Sequence, residues 1–281
     1  MQSMLLTPAS ARWYRRAALA GGLFVAQLVW TLFLLGAAVA KIFEFGAFQY
    51  TRHYTNWSWT LQMLFFAATL GAPFVQLGFA PPRSGLGQWT TTILVLAFFP
   101  LLGVVTTVAL LVWVLLGTNS PFITDIFERV PPQIVILGND LYHMIPVFSL
   151  LVFLLVYKKL IYFAVNRAAA DSKMARSVAR LTTFIAYESL LGAGISLAIY
   201  ALIFDAQEVY ETQLSVGAGI VLGFFSILAS SGVPFLIVAA LVGVVQETRY
   251  TDAWLLRNHY DPYEVQEYEQ ARGADERGKV K

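Results

Sequence analysis

Long apolar runs separated by short polar connectors dominate the pattern of hydrophobic and polar positions along this chain. Six of these runs reach the roughly 20 mostly apolar residues that an α-helix needs to cross about 30 Å of hydrocarbon. The runs are too long for the roughly ten-residue alternating strands of a membrane barrel. The pattern therefore predicts an all-α, polytopic integral membrane bundle of six transmembrane helices, at about 17–40, 58–80, 90–116, 141–163, 182–204 and 216–245.

The charged residues between the runs predict the orientation of the bundle. Basic side chains concentrate before the first run and between the fourth and fifth runs, at Arg12, Arg15, Arg16, Arg167, Lys173, Arg176 and Arg180. Acidic side chains predominate in the third and fifth connectors, at Asp125, Glu128, Asp140, Asp205, Glu208 and Glu211. Because cytoplasmic loops carry the excess of lysine and arginine, both termini are predicted to be cytoplasmic. Lys41 and Arg52 fit less well, since this scheme places them on the outer side.

The same pattern divides the chain into three parts. Residues 1–16 form a cytoplasmic N-terminal flank, 17–245 the six-helix transmembrane domain, and 246–281 a polar cytoplasmic tail of mixed charge. A cleaved signal peptide is the alternative for the first run, because arginines precede it and Ala38-Val39-Ala40 ends it. Its apolar core is longer than the 7–15 residues that such peptides use.

Composition narrows the class of protein. The chain is 58% hydrophobic and 13% charged, whereas a soluble domain carries about a quarter charged residues. A net charge of +2 gives no reason to expect nucleic acid as a partner. The long apolar runs make membrane lipids the predicted partners. The absence of cysteine excludes disulfides, thiolate nucleophiles and cysteine metal sites. The common hydrolase, zinc and phosphate-binding motifs are also absent, and no metal or organic cofactor is expected.

Two side chains far apart in the sequence are candidates for chemistry. Thr55 precedes the second run and His143 lies just inside the fourth, and both runs begin at the outer face in a six-span bundle. A threonine hydroxyl becomes a nucleophile when a neighbouring base takes its proton, and neutral imidazole is the commonest such base. Asp140 precedes His143 by one helical turn and is placed to orient its ring.

These residues also have structural interpretations. Thr55 at a helix start is typical of an N-cap, and a histidine near a helix start often only meets interfacial water. Ser58 and Thr60 are competing hydroxyls that spacing does not separate from Thr55. The neighbouring aromatic side chains suit an aromatic belt at the lipid headgroups, namely Tyr54, Trp57 and Trp59.

Polar and small residues inside the runs give further expectations. Gln62 and Gln76 are predicted to form interhelical hydrogen bonds. Glu188 either pairs with Lys158 or Lys159 or serves a proton or ion pathway. Four glycines are expected at close helix contacts, and one segment is expected to kink the sixth helix: Gly192, Gly194, Gly217 and Gly219, and Ser230-Ser231-Gly232-Val233-Pro234.

Four stretches resemble, in order and spacing, the androgen-induced-gene family of multipass membrane proteins. They are HYTNWSWTLQMLFF, TTILVLAFFPLLGVVTTVALLVW, VPPQIVILGNDLYHMIPVF and VYETQLSVGAGIVLGFF, and the similarity runs from about residue 50 to 225. The resemblance implies a six-span, threonine-dependent hydrolase of fatty acid esters of hydroxy fatty acids. Thr55 falls on the family's threonine and His143 on its histidine, and Asn139 also matches. Tyr54 and Asn56 flank the threonine where the family has apolar residues.

A function follows from this resemblance together with the candidate pair. Thr55 would attack a lipid ester, His143 would act as its base, and amides near Asn56 or the Asn139 side chain would stabilise the oxyanion. Endoplasmic reticulum and plasma membrane both suit the charge pattern. The YTNW stretch also resembles the rolling stone family, which favours the alternative of a non-catalytic multipass protein. A small transporter or channel that uses Glu188 is the third interpretation.

Overall fold

The computed structural model describes residues 8–81, 84–116, 128, 131–169 and 178–204, and every regular element in these ranges is a helix. The prediction of an all-α chain is confirmed for this part. The sixth predicted span, the tail and most of the third and fifth connectors lie outside the described residues. Seven helices are described: α1 Pro8–Phe45, α2 Ala47–Arg52, α3 Tyr54–Ala68, α4 Ala72–Gln76, α5 Gly85–Leu116, α6 Pro132–Ala169 and α7 Val178–Ile203.

Two of the described helices are long and apolar enough to cross a membrane. They are the Trp13–Phe45 part of α1 and the Gly85–Val112 part of α5, which match the first and third predicted runs. Shorter apolar helices run over Tyr142–Lys158 in α6 and Tyr187–Ile203 in α7. Length and composition thus support association with a membrane.

The second predicted run is not one continuous helix. α3 has 15 residues, which span about 22 Å, and it ends at Ala68. Gly71 and Pro73 follow, and a proline within a helix removes the bond to the carbonyl four residues earlier. The chain restarts as the five-residue α4 and then turns at Gly78, whose φ of 92° favours glycine. The prediction of a single span over 58–80 is therefore wrong.

The fourth predicted run belongs to a longer helix than expected. α6 begins at Pro132 rather than near residue 141, so His143 lies well inside the helix and not in its first turn. The helix contains Pro146 and bends at Tyr157, where φ is −104° and ψ is 17°. The backbone around His143 is thus fixed by helix on both sides.

Contacts between helices define their relative directions. In α1, Gln27 bonds to Phe66 and Phe33 contacts Trp59, so α1 and α3 are antiparallel. Trp89 bonds to Ala68 while Val104 and Val108 pack on Tyr54, so α5 is also antiparallel to α3. Thr55 meets His143 and Gln76 meets Val156, so α3 with α4 runs parallel to α6. The starts of the second and fourth predicted helices therefore lie at the same end of the bundle.

The bundle exposes apolar side chains and encloses polar ones. Large apolar residues are exposed along α1 and α6, for example Val25, Val29, Leu32, Phe148, Val152 and Leu155. Polar side chains are buried between the helices, including Gln27, Gln62, Thr69, Thr107 and Ser189. This distribution is expected where the solvent is lipid and polar groups must find partners inside the protein.

Two glycines bring α5 and α7 into backbone contact. A Cβ at Gly103 would overlap the Ser189 carbonyl, and one at Gly192 would overlap Pro100. The prediction of close packing is confirmed for Gly192 but wrong for Gly194, where a Cβ would meet open space. Gly217, Gly219 and the 230–234 segment lie outside the described residues.

Candidate functional site

The site begins where the chain turns from α2 into α3. His53 lies between the two helices with extended backbone angles, φ −92° and ψ 119°, and is the N-cap of α3, but its side chain makes no capping hydrogen bond to the helix. Thr55 is the second residue of α3 and is only 8% exposed. It is therefore inside the first turn and not the N-cap, so the capping interpretation of Thr55 is wrong.

The hydroxyl of Thr55 meets the ring of His143 across the α3–α6 contact. Thr55 Oγ1 lies 3.2 Å from His143 Nε2, although the two residues are 88 positions apart. This distance is within the range for proton transfer between a nucleophile and its base. When Nδ1 carries the ring proton, Nε2 accepts the Thr55 proton, which is the arrangement that general base catalysis needs.

Position within α3 explains why this hydroxyl is turned toward a neighbouring helix. Threonine hydroxyls inside these helices mostly donate to the carbonyl four residues earlier, as Thr31, Thr60, Thr69, Thr91 and Thr106 do. The residue four before Thr55 is Thr51, which belongs to α2 and is separated from α3 by the extended His53. Thr55 has no carbonyl of its own helix at that position.

The competing hydroxyls are occupied by the backbone. Ser58 Oγ donates to the Thr55 carbonyl at 2.7 Å, and Thr60 Oγ1 donates to the Asn56 carbonyl at 2.9 Å. Thr60 Oγ1 also lies 2.9 Å from the Tyr50 hydroxyl. Of these three candidates, only Thr55 has a hydrogen bond to an imidazole in the described part of the chain.

Asn56 connects the start of α3 to α6. Its Nδ2 donates to the Tyr50 carbonyl at 2.7 Å, and its Oδ1 accepts from the Tyr142 hydroxyl at 3.0 Å. Its backbone N–H donates to the His53 carbonyl at 3.0 Å, so this amide is already engaged. The contacts favour a bracing role for Asn56 over the expected oxyanion contact.

Tyr142 was not singled out by the sequence, yet it joins three helices. Its hydroxyl accepts a bond of 2.6 Å from Lys41 Nζ of α1 and donates to Asn56 of α3. Its ring stacks on Trp59, with centroids 4.9 Å apart and planes 16° apart. The sequence offers one signal for this role: Tyr142 is the residue before His143, and its partner Asn56 is the residue after Thr55.

Two further predicted residues of the site belong to the α6 backbone. Asn139 and Asp140 are helical, so Asp140 does lie one turn before His143. Their side chains are outside what the structure describes.

Within the described residues, no group of three His, Asp or Glu side chains could hold a metal ion.

The aromatic side chains of this stretch are mostly internal. Tyr54 is buried against Tyr200 and bonds to Ser196, and Trp59 is buried against Tyr142. The aromatic-belt prediction is therefore wrong for these two residues, while Trp57 is half-buried and donates to the Thr51 carbonyl. Tertiary contacts, rather than headgroups, take up their polar atoms.

The polar residues below the site behave as interhelical partners. Gln62 donates to the Pro146 carbonyl at 2.6 Å and to Ser149 Oγ at 2.8 Å, and Gln76 donates to the Val156 carbonyl at 2.7 Å. This confirms the prediction for both glutamines. Among the described side chains, Glu188 forms no ion pair with Lys158, and the Lys159 side chain lies outside them.

The electrostatics at the start of α3 favour the neutral form of His53. Burial, followed by the positive charges of Lys41 and Arg52, lowers the pKa of His53 below its ordinary value of 6.5.

Comparisons of the chain with protein-family models, with curated proteins and with solved structures find no match. The chemistry open to the site is thus that of its own groups: a buried hydroxyl, an imidazole at hydrogen-bond distance and a braced helix start.

Proposed function

We propose that this chain is an integral membrane hydrolase of lipid esters in which Thr55 is the nucleophile and His143 the general base. The observation that carries the proposal is the 3.2 Å contact between Thr55 Oγ1 and His143 Nε2. The resemblance to the androgen-induced-gene family is part of the same proposal. It suggests fatty acid esters of hydroxy fatty acids as substrates.

The reaction would proceed in two halves. Thr55 Oγ1 attacks the ester carbonyl carbon while its proton passes to His143 Nε2, and the carbonyl electron pair moves to oxygen. Collapse breaks the bond to the alkoxy oxygen, which takes the proton from His143. Water then attacks the acyl-threonine carbonyl carbon and gives a proton to His143. Collapse breaks the bond to Thr55 Oγ1, which takes that proton back, and the carboxylic acid leaves. The Thr55 N–H lies in the first turn of α3, where no carbonyl of its own helix precedes it by four residues, which suits it to an oxyanion.

The proposal includes a six-span topology with both termini in the cytoplasm. The alternation of direction from α1 to α3, α5 and α6 supports it, because successive spans must cross in opposite senses. The site would then lie at the outer or luminal end, where an acyl chain enters from the bilayer and water from outside. Endoplasmic reticulum or plasma membrane is the proposed location.

The test compares purified Thr55→Ala and His143→Ala with wild type on lipid esters. Each substitution should lower kcat by about 10² to 10⁴, the usual contribution of a positioned base and its nucleophile. Thr106→Ala is the matched control, because Thr106 is also buried but donates to the Leu102 carbonyl of its own helix. Turnover of Thr55→Ala at the level of this control would refute the assignment.

A covalent probe separates the hydrolase from the non-catalytic alternative. A fluorophosphonate should label the wild-type chain and Thr106→Ala but not Thr55→Ala, because only an activated hydroxyl reacts. Labelling of Thr55→Ala at the wild-type rate would place the reactive group elsewhere. The absence of any labelling or turnover in folded wild type would favour the non-catalytic multipass protein.

A further inference from the structure

Two side chains hold α3 and α6 in register beside the Thr55–His143 pair. We propose that Trp59 and Tyr142 are positioning residues of the site, an inference that rests on the proposed hydrolase function for its kinetic consequence. Trp59 bonds to the Tyr142 backbone, and the Tyr142 hydroxyl bonds to Asn56. On α6, both bonds are made by the residue before His143. On α3, one is made by the residue after Thr55 and the other by Trp59, one helical turn further along.

The first bond exists because of Pro146. Proline has no backbone N–H, so the carbonyl four residues earlier, that of Tyr142, loses its partner within α6. Trp59 Nε1 donates to this carbonyl at 3.2 Å from α3. A buried carbonyl must find a donor, and here the donor comes from the helix that carries Thr55. Pro146 thereby ties a position on α3 to the residue immediately before His143.

The second bond uses the side chain of the same tyrosine. Tyr142 donates to Asn56 Oδ1 at 3.0 Å and accepts from Lys41 Nζ at 2.6 Å. A bond from a charged donor strengthens the next bond in a chain, so Lys41 makes the Tyr142 hydroxyl a better donor to Asn56. Asn56 is held in turn by the Tyr50 carbonyl at 2.7 Å. The residue after Thr55 is thus fixed to the residue before His143.

Register between these helices decides whether the pair can react. A shift of one residue translates a helix by about 1.5 Å and rotates it by about 100°, which would separate Thr55 Oγ1 from His143 Nε2. A misplacement of about 1 Å can cost about 10²-fold in rate. The two bonds oppose such shifts without touching the nucleophile or the base.

Tyr142→Phe and Tyr157→Phe form a matched pair for the kinetic test. Both remove one hydroxyl from α6, but Tyr157 donates to Gln27 Oε1 at 3.2 Å, away from the site. In the full-length protein with a p-nitrophenyl ester, Tyr142→Phe should lower kcat about tenfold or more and leave KM nearly unchanged. Tyr157→Phe should leave both near wild type. Equal kcat values for the two variants would overturn the positioning role.

A second readout does not depend on catalysis. The chain has no cysteine, so Thr55→Cys with His143→Cys can be joined by a short bis-methanethiosulfonate linker in the intact protein. Adding Tyr142→Phe should slow this cross-link, while adding Tyr157→Phe should not. Such a difference supports the positioning role even if the turnover of Thr55→Ala refutes the hydrolase function. Equal cross-linking rates in the two variants would overturn the positioning role.

A compensating substitution separates positioning from simple stability. Trp59→Phe leaves the Tyr142 carbonyl without its donor, and Pro146→Ala supplies an N–H from within α6. The double variant should therefore recover thermal stability but not the tie between helices. Recovered stability with kcat still about tenfold low supports the inference. Recovery of both stability and kcat would show that Trp59 has only a structural role.

Discussion

Single glutamine side chains do much of the joining between helices in this protein. Gln27 donates to the Phe66 carbonyl and to Thr69 Oγ1, and it accepts from the Tyr157 hydroxyl. Gln62 and Gln76 likewise donate to carbonyls of α6. In lipid, where apolar burial gives no preference for helix association, such bonds contribute about 0.6 to 2 kcal/mol each. They therefore help to set which helix faces meet.

A residue-scale prediction concerns the stability of the protein in mild acid. The pKa of His53 is lowered by burial and then by Lys41 and Arg52, so the folded protein resists its protonation. Below the unfolded value of about 6.5, the unfolded chain binds a proton that the folded chain does not. Stability should consequently fall as pH decreases from 6.5 toward the lower folded pKa.

The measurement is thermal unfolding in detergent at several pH values. Wild type should lose melting temperature between pH 7.5 and 5.5, and His53→Gln should lose less, since it has no group to protonate there. Above pH 7.5 the two proteins should respond alike. An identical acid response in both would mean that His53 titrates equally in the folded and unfolded chains.

At the scale of the helices, the close contact between α5 and α7 depends on two glycines, which have no side chain to keep the backbones apart. Gly103 lies on the Ser189 carbonyl and Gly192 on Pro100, so the two backbones approach more closely than any side chain would allow. Small residues at crossing points are the usual means of close packing in membrane bundles. Because the last turns of α7 also hold Tyr54 and the Arg52 carbonyl, this contact supports the start of α3.

Substitution of two glycines on α7 should give opposite results. Gly192→Ala places a methyl group against Pro100 and should destabilise the protein by about 1–3 kcal/mol. Gly194→Ala places it in open space and should stabilise by about 0.5–1 kcal/mol, since alanine loses less freedom in a helix. Thermal or denaturant unfolding of both variants checks this, and equal destabilisation would argue against the α5–α7 contact.

Over the described residues, apolar side chains cover much of the exterior, and the largely apolar interior also encloses several polar side chains. Outward residues such as Val152 and Leu155 follow helical spacing, while Gln62 is fully buried beneath Thr55. A charge in the outward positions would cost about 2.5–3.5 kcal/mol at the middle of a membrane. The exterior is thus suited to lipid over the described length of α1 and α6.

The proposed six-span orientation predicts on which side of the membrane two connectors lie. Phe48 in α2 and Pro81 after α4 are exposed at opposite ends of the bundle, and the chain has no cysteine to interfere. With a membrane-impermeant maleimide on sealed cells or vesicles, Phe48→Cys should label from the outer or luminal side. Pro81→Cys should label only from the cytoplasmic side, and the cysteine-free parent should not label. Labelling of both from one side would contradict the six-span orientation.

For the described residues, the sequence alone determined the helical class and most of the stretches in which helices lie, because hydropathy and turn residues act over neighbouring positions. It also indicated the Thr55–His143 pair, because alternation of helix direction places the starts of the second and fourth predicted runs at one end of the bundle. It missed the break at Gly71 and Pro73 because apolar residues continue on both sides. The early start of α6 was missed as well, because its first residues are not part of the apolar run.

Only the tertiary structure decided which hydroxyl meets the imidazole and what holds it there. Ser58, Thr60 and Thr55 are equivalent by spacing, and their separation came from the position of His53 between two helices and from the facing side chains of α6. The same holds for Gly192 and Gly194, whose surroundings differ although their sequence context does not. Register between helices is set by contacts between residues more than 80 positions apart, which no local pattern encodes.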